Sequence, residues 1–165
     1  MNLRAFFPYG VIMAALLFAS DARPQPAEDP LAGFAPFIGG QWHLEGSYSE
    51  LEWGVSRLAV KARNYFVVDG QPKLVSEGFW FWHPGEQQIK GIFTAIDMPV
   101  VLFLYTTRFE GDTMISDLRA YAASGKETQF VETWKLEDDA HFAWTLSSET
   151  ADGQEQSMSG TYTRQ

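Results

Sequence analysis

The chain has 165 residues, of which 21 are acidic and 12 basic, so its formal net charge is −9. This acidic balance disfavours nucleic acids and anionic lipid surfaces as partners, because both need a basic patch. The sequence contains no cysteine, which excludes disulfides, a lipoprotein anchor and a cysteine nucleophile. We therefore predict no nucleic-acid partner.

The first 22 residues have the composition of a secretory signal peptide. A short positive leader that ends at Arg4 precedes an apolar run over residues 5–19, and small residues at Ser20 and Ala22 suit a cleavage site. The apolar run is shorter than the roughly 20 residues that a membrane span needs, and it contains Pro8. We predict cleavage after residue 22.

Cleavage there gives a mature chain with a periplasmic or secreted location. The removed segment carries one charge of each sign, Arg4 and Asp21, so the net charge of the remainder stays at −9. The prolines of residues 23–28 indicate an extended linker. We predict no integral membrane span in the mature chain and a single domain over residues 29–165.

This domain is predicted to open with a short helix. Asp29 is a suitable N-cap with Pro30 at the first helical position, and Pro36 limits the helix to a turn or two. Leu31, Phe34 and Ile38 then share one side of it. We expect this helix to lie across one end of the fold.

From residue 40 onward, apolar and polar residues alternate with period two, which is typical of strands. The predicted strands are 41–47, 51–55, 57–68, 73–82, 88–96, 100–109, 113–121, 128–136, 141–148 and 156–163. Glycine and aspartate in the short links supply the positive φ of tight hairpin turns. The predicted fold class is all-β, an antiparallel up-and-down β-barrel of about ten strands.

The hairpin over residues 73–96 has aromatic residues on both faces of its first strand. Phe79 and Phe81 project to one face, whereas Trp80 and Trp82 project to the other. Both faces are therefore expected to be covered, as in a closed barrel. The aromatic content suits a filled core or a cavity wall, and we favour a cavity because ten strands leave room for a modest ligand.

Two sequence patterns carry a resemblance to known barrels. Gly40-Gln41-Trp42 at the first strand and Arg164 at the end of the last resemble the calycin signature of lipocalin-like proteins. The F-I-G-G-x-W start and the F-W-F-W-H-P-G-E-x-x-I-K-G hairpin resemble an exported bacterial lipocalin-like family known chiefly as a domain of unknown function. The resemblance implies a barrel in which Trp42 packs under Arg164 by a cation–π contact.

A more distant similarity to the nitrobindin-type barrels implies haem binding through one histidine. The local motif of those barrels is absent here, so no haem ligand is carried over. The three histidines also lack partners at metal-ligand spacing. We predict no metal site and no cofactor, and His83 is the residue to test for haem.

Glu132 is the most informative candidate site residue. Strand alternation places it on one face with Phe130, Trp134 and Leu136, so it is predicted to face inward among apolar groups. A buried carboxyl there has a raised pKa or a partner such as an arginine, Tyr105 or Tyr162. Glu77 similarly shares a face with Phe79 and Phe81. The predicted ligand-binding set is Glu77, Phe79, Phe81, His83, Tyr105, Glu132 and Trp134.

These patterns leave three classes of function open. The leading one is an exported protein that binds a small hydrophobic or amphipathic molecule in the barrel. The alternatives are an enzyme of the isomerase, cyclase or hydrolase type that uses lumen carboxylates, and a haem-binding barrel. Separately, residues 100–104 are apolar on both faces, so their outer face requires cover by residues 31–38, by a long loop or by a second subunit in a homodimer.

Overall fold

The computed structural model describes residues 29–149 and 155–165, so the predicted signal peptide, the linker and the turn at Asp152-Gly153 lie outside the described residues. Ten antiparallel strands form a closed barrel in which sequence neighbours pair and the last strand pairs with the first. The strands are β1 (Trp42–Leu44), β2 (Ser47–Trp53), β3 (Ala59–Val68), β4 (Gln71–His83), β5 (Gln88–Ala95), β6 (Leu102–Glu110), β7 (Thr113–Tyr121), β8 (Glu127–Asp138), β9 (His141–Glu149) and β10 (Glu155–Arg164). The predicted fold class is confirmed.

The first two strands begin and end at different residues from those predicted. The chain turns at Glu45-Gly46, where Gly46 has a φ of 72°. Only glycine adopts this backbone conformation without steric cost. As a result β1 ends at Leu44 and β2 already begins at Ser47. After β2, a short 3-10 helix over Val55–Arg57 leads into β3.

The predicted helix is present as a 3-10 helix over Ala32–Phe37. The Leu31 N–H donates to Asp29 Oδ1 at 3.0 Å, but the helix begins at Ala32 with Leu31 as its N-cap, so the predicted capping residue, Asp29, and Pro30 both precede the helix. Because a 3-10 helix has three residues per turn, Phe37 and not Ile38 follows Leu31 and Phe34 on the buried side. These three side chains fill one end of the barrel.

Trp42 of β1 links this helix to the end of the last strand. Its indole N–H donates to the Phe37 carbonyl at 2.8 Å, and the Arg164 guanidinium lies 4.3 Å above its ring. Arg164 also donates to the carbonyl of Pro36. The predicted contact between Trp42 and Arg164 is therefore confirmed, and it closes this end of the barrel, which we call the floor.

A β-bulge in β4 changes which side chains face inward. Asn64 of β3 pairs with Ser76, whereas the next residue, Tyr65, pairs with Leu74, so Val75 is the extra residue. Val75 and Ser76 are consecutive and both buried. Alternation therefore restarts at Ser76, which places Trp80 inside the barrel.

The outer face of β6 carries Leu102 and Leu104, each of which is half-buried. Leu104 lies between Ile92 of β5 and Arg119 of β7 in the sheet. The short helix packs inside the floor, so it does not cover this outer face. The homodimer stays a prediction.

Over residues 29–149 and 155–165, no helix is long and apolar enough to cross a membrane.

Candidate ligand-binding cavity

A cavity of about 200 Å³ lies in the barrel at the end away from the floor. Drug-sized ligands usually occupy about 300–1,000 Å³, so this cavity suits a smaller molecule. Half of its lining residues are aromatic, among them Trp80, Phe93, Phe103, Tyr105, Trp134, Trp144 and Tyr162. Met98, from the loop between β5 and β6, also contributes to its wall.

Glu132 of β8 is the charged side chain of the cavity wall. It is 8 % exposed, and Trp144 of β9 donates its indole N–H to Oε1 at 2.7 Å. Within the part of the chain that the structure describes, Oε2 is buried and has no hydrogen-bond partner. The predicted inward orientation of Glu132 is confirmed.

The partner of Glu132 differs from the predicted arginine or tyrosine. In the pairing of β8 with β9, Leu146 lies opposite Glu132 and Trp144 lies opposite Trp134. Trp144 is thus the diagonal neighbour of Glu132, and a side chain as long as tryptophan spans that distance. Sequence alternation identifies the face of a strand but not the register that brings this indole to the carboxylate.

Burial raises the pKa of Glu132 above its ordinary value, because the charged carboxylate loses hydration. The indole N–H groups of Trp144 and Trp134 act in the opposite direction, since each lowers the pKa by stabilising the negative charge. The Trp134 N–H does not reach hydrogen-bond geometry in the described residues. The hydrogen bonding therefore offsets only part of the effect of burial, and the pKa of Glu132 stays raised.

Glu132 affects the pKa values of two tyrosines in the cavity wall, Tyr105 and Tyr162. Burial, followed by the negative charge of Glu132, raises the pKa of Tyr162 to about 12. The same causes, in the same order, raise the pKa of Tyr105 well above its ordinary value. Both hydroxyls therefore stay protonated near neutral pH and remain hydrogen-bond donors.

Further polar groups line the cavity on the β2 and β3 side. The Ser49 hydroxyl donates to Asn64 Oδ1 at 2.7 Å, and Ser47 and Ser76 lie on the same wall. The cavity wall therefore combines hydroxyl and amide groups with aromatic rings. Such a wall can orient an amphipathic molecule.

The structure brings together three of the seven predicted site residues. Tyr105, Glu132 and Trp134 line the cavity. The other four, Glu77, Phe79, Phe81 and His83, do not. Glu77 is exposed and Phe79 is 45 % exposed on the outer face of β4, because the bulge at Val75 reverses the phase that alternation alone would give.

His83 lies at the end of β4, where its Nδ1 accepts from the Glu86 N–H at 3.1 Å. This contact places it in the hairpin turn and outside the cavity wall. His43 and His141 also lie outside that wall. No group of three or more potential ligands that could hold a metal ion occurs within residues 29–149 and 155–165.

The predicted ligand-binding set leaves out most of the aromatic wall, including Trp80, Phe93 and Trp144. Alternation puts Trp80 and Phe79 on opposite faces of β4, but which of the two faces is interior depends on the closed barrel. Gly91, its partner on β5, carried a usable signal, because a glycine inside a strand often marks a close approach. A Cβ at Gly91 would lie 2.6 Å from Trp80 Cδ1, so the indole occupies the space that this glycine leaves.

Comparison with known proteins adds no assignment. No family model matches the chain. No curated protein matches it either. The functional argument therefore depends on the cavity and its residues.

Proposed function

We propose that this protein binds a small amphipathic molecule in the barrel cavity. The apolar part of the ligand would contact the aromatic wall, and its polar part would meet Glu132. The observation that supports this most directly is the buried, unpartnered Oε2 of Glu132 at a cavity wall among the described residues. Buried polar atoms are normally hydrogen-bonded, so an orphaned carboxylate oxygen on a residue that lines a cavity suits a ligand.

Export and family membership belong to the same proposal. The composition of residues 1–22 supports export to a periplasmic or secreted location. The stacking of Arg164 on Trp42 beside the short helix supports a lipocalin-like relationship. Mass spectrometry of the mature N-terminus from the native host tests export, and an N-terminus at residue 1 would contradict it.

The binding proposal is tested on protein purified from its native host under mild conditions. Extraction with organic solvent and mass spectrometry should find a bound small molecule, and an apolar fluorescent dye should compete for the same site. Leu118→Trp, which adds volume at the buried cavity wall, should reduce dye binding. Arg119→Trp, at the exposed neighbouring position, is the matched control and should leave it unchanged.

If the extract contains no bound species and dyes bind neither variant nor the unaltered protein, the binding proposal is wrong. A dye that binds Leu118→Trp as well as the unaltered protein would place the binding site elsewhere. Both results are independent of what the ligand is.

An enzyme of the isomerase, cyclase or hydrolase type is the second candidate, and one observation favours it. A carboxyl with a raised pKa and the protonated Tyr105 hydroxyl line the same aromatic cavity. Such a pair suits proton transfer assisted by a hydrogen-bond donor. Conversion of the extracted ligand by the protein, lost in Glu132→Gln, would establish it, and an unchanged ligand after prolonged incubation would remove it.

A further inference from the structure

The cavity wall contains one acidic side chain and no basic one among the described residues. Glu132 contributes the carboxylate, and no lysine, arginine or histidine belongs to the wall as far as the structure describes the chain. Tyr105 and Tyr162 are neutral near pH 7, and burial raises the pKa of each further above that range. The electrostatic preference of the cavity is therefore set by a single carboxylate.

The aromatic rings that share the cavity wall with this carboxylate pack edge to face against one another. The Trp80 ring centroid lies 5.9 Å from that of Trp134 and 5.6 Å from that of Tyr105, and both pairs are T-shaped. In a T-shaped pair the edge of one ring points toward the face of its partner. The negative potential of those faces attracts cations, and tryptophan is the strongest of the aromatic side chains in this respect.

We infer that the molecule bound in this cavity carries a cationic amino group that pairs with Oε2 of Glu132 and contacts the faces of the surrounding aromatic rings. The inference rests on the proposed binding function and specifies the chemical class of its ligand. It assigns Glu132 the role of counter-ion, with Trp144 holding Oε1 and thereby fixing the orientation of the carboxylate.

A cation fits this wall better than an anion or a neutral ligand. An anionic group would be repelled by the Glu132 carboxylate, and the described wall has no basic side chain to offset that repulsion. A neutral donor would satisfy Oε2 but would leave the buried charge unpaired, which is unfavourable in an apolar site. An ammonium group both donates a hydrogen bond and neutralises the charge.

The net charge of the protein also favours a cationic ligand. At −9, the protein attracts cations from solution and repels anions, which favours the encounter with an amine. A single carboxylate in the wall matches one ammonium group. We therefore expect a monoamine with an apolar or aromatic body that fits a cavity of about 200 Å³.

Three probes of nearly equal size separate the charge states. Benzylamine is a cation at neutral pH, benzyl alcohol is neutral and benzoate is an anion. Isothermal titration calorimetry of the unaltered protein should give at least tenfold tighter binding for benzylamine than for benzyl alcohol, and weaker binding for benzoate. Glu132→Gln should remove the preference for the amine while benzyl alcohol binds as before. Glu77→Gln, at an exposed carboxylate on the outer face, is the matched control and should retain the preference.

The dependence on pH gives a second readout. Binding of benzylamine should tighten as pH rises through the pKa of Glu132, because the carboxyl must ionise to act as counter-ion. Tyr105 and Tyr162 also face the site, but they titrate only far above this range. In Glu132→Gln the pH dependence should be absent.

Equal binding of benzylamine and benzyl alcohol would overturn the inference and leave the proposed binding function standing. Tightest binding of benzoate would overturn it as well. If no probe binds, the inference is wrong, and the solvent extraction described above decides separately on the proposed function. If Glu132→Gln fails to fold by circular dichroism, the comparison of the three probes on the unaltered protein still decides the matter.

Discussion

The two ends of the barrel interior contrast in how they use the same aromatic residue types. At the floor, Trp42, Phe34, Phe37 and Phe142 are each at most 1 % exposed, and the Trp42 N–H has a carbonyl partner. At the other end, aromatic rings surround open space, and the buried Trp80 N–H and Glu132 Oε2 have no partners among the residues described. The floor is packed, whereas the cavity end is hollow and carries polar groups in its wall.

Trp134 lies at the boundary between the two ends. Its ring stacks on Phe142 of the floor, with centroids 5.0 Å apart and planes at 16°, yet it also lines the cavity. The contrast indicates that stability comes mainly from the floor and that the cavity end retains polar groups for binding. Substitutions at the floor, at the cavity end and on the outer face of β4 should therefore differ in their effects.

The largest effect is expected for Trp42→Ala at the floor. The change removes a fully buried ring, its hydrogen bond to the Phe37 carbonyl and the surface on which Arg164 lies. Urea denaturation should show a loss of about 3–5 kcal/mol in the free energy of unfolding. Probe binding by the folded fraction should be nearly unchanged. A loss below about 1 kcal/mol would contradict the assignment of stability to the floor.

Trp144→Phe should have an intermediate effect, at the cavity end. It removes the N–H that donates to Glu132 Oε1 and leaves a buried carboxylate without its hydrogen bond. We expect a loss of about 1–3 kcal/mol in the free energy of unfolding at pH 8. The loss should be smaller at pH 4, because a protonated carboxyl is less costly to bury. Trp82→Phe, at a more exposed ring, is the control and should change stability by less than about 0.5 kcal/mol.

Glu132→Gln should have a smaller effect whose size depends on pH. Burial raises the pKa of Glu132 above 4.5, so the stability linked to its proton is fully present below that pH and is lost as pH rises through the pKa of the folded state. Glutamine has the same shape, retains an acceptor for Trp144 and does not titrate. The variant should therefore gain stability relative to the unaltered protein between pH 4 and pH 8. A difference that stays constant with pH would show that the carboxyl has an ordinary pKa.

The smallest effect is expected for Phe79→Ser, on the outer face. Phe79 is 45 % exposed, although its neighbour Trp80 is buried in the cavity wall. The free energy of unfolding should change by no more than about 0.5 kcal/mol, and the preference among the three probes should be unchanged. Altered probe binding would mean that the outer face of β4 contributes to the site as the sequence alone suggested.

The sequence was most informative where a local signal determines structure. Alternation and glycine-containing turns predicted the ten strands, and at Asp69-Gly70 both residues have the positive φ that such a turn requires. The inward position of Glu132 followed from the apolar residues that share its face. These predictions depend on neighbours along one strand, which the sequence shows directly.

The sequence by itself determined the barrel, its floor and the presence of one carboxyl inside it, because period-two alternation and turn residues act over a few positions. Only the tertiary structure decided which face of β4 lines the cavity and which residue donates a hydrogen bond to Glu132. The bulge at Val75 reverses the phase of a strand whose two faces are both aromatic, so composition offered no way to detect it. The contact between Trp144 and Glu132 depends on the register of β8 against β9, which is set by the closure of all ten strands.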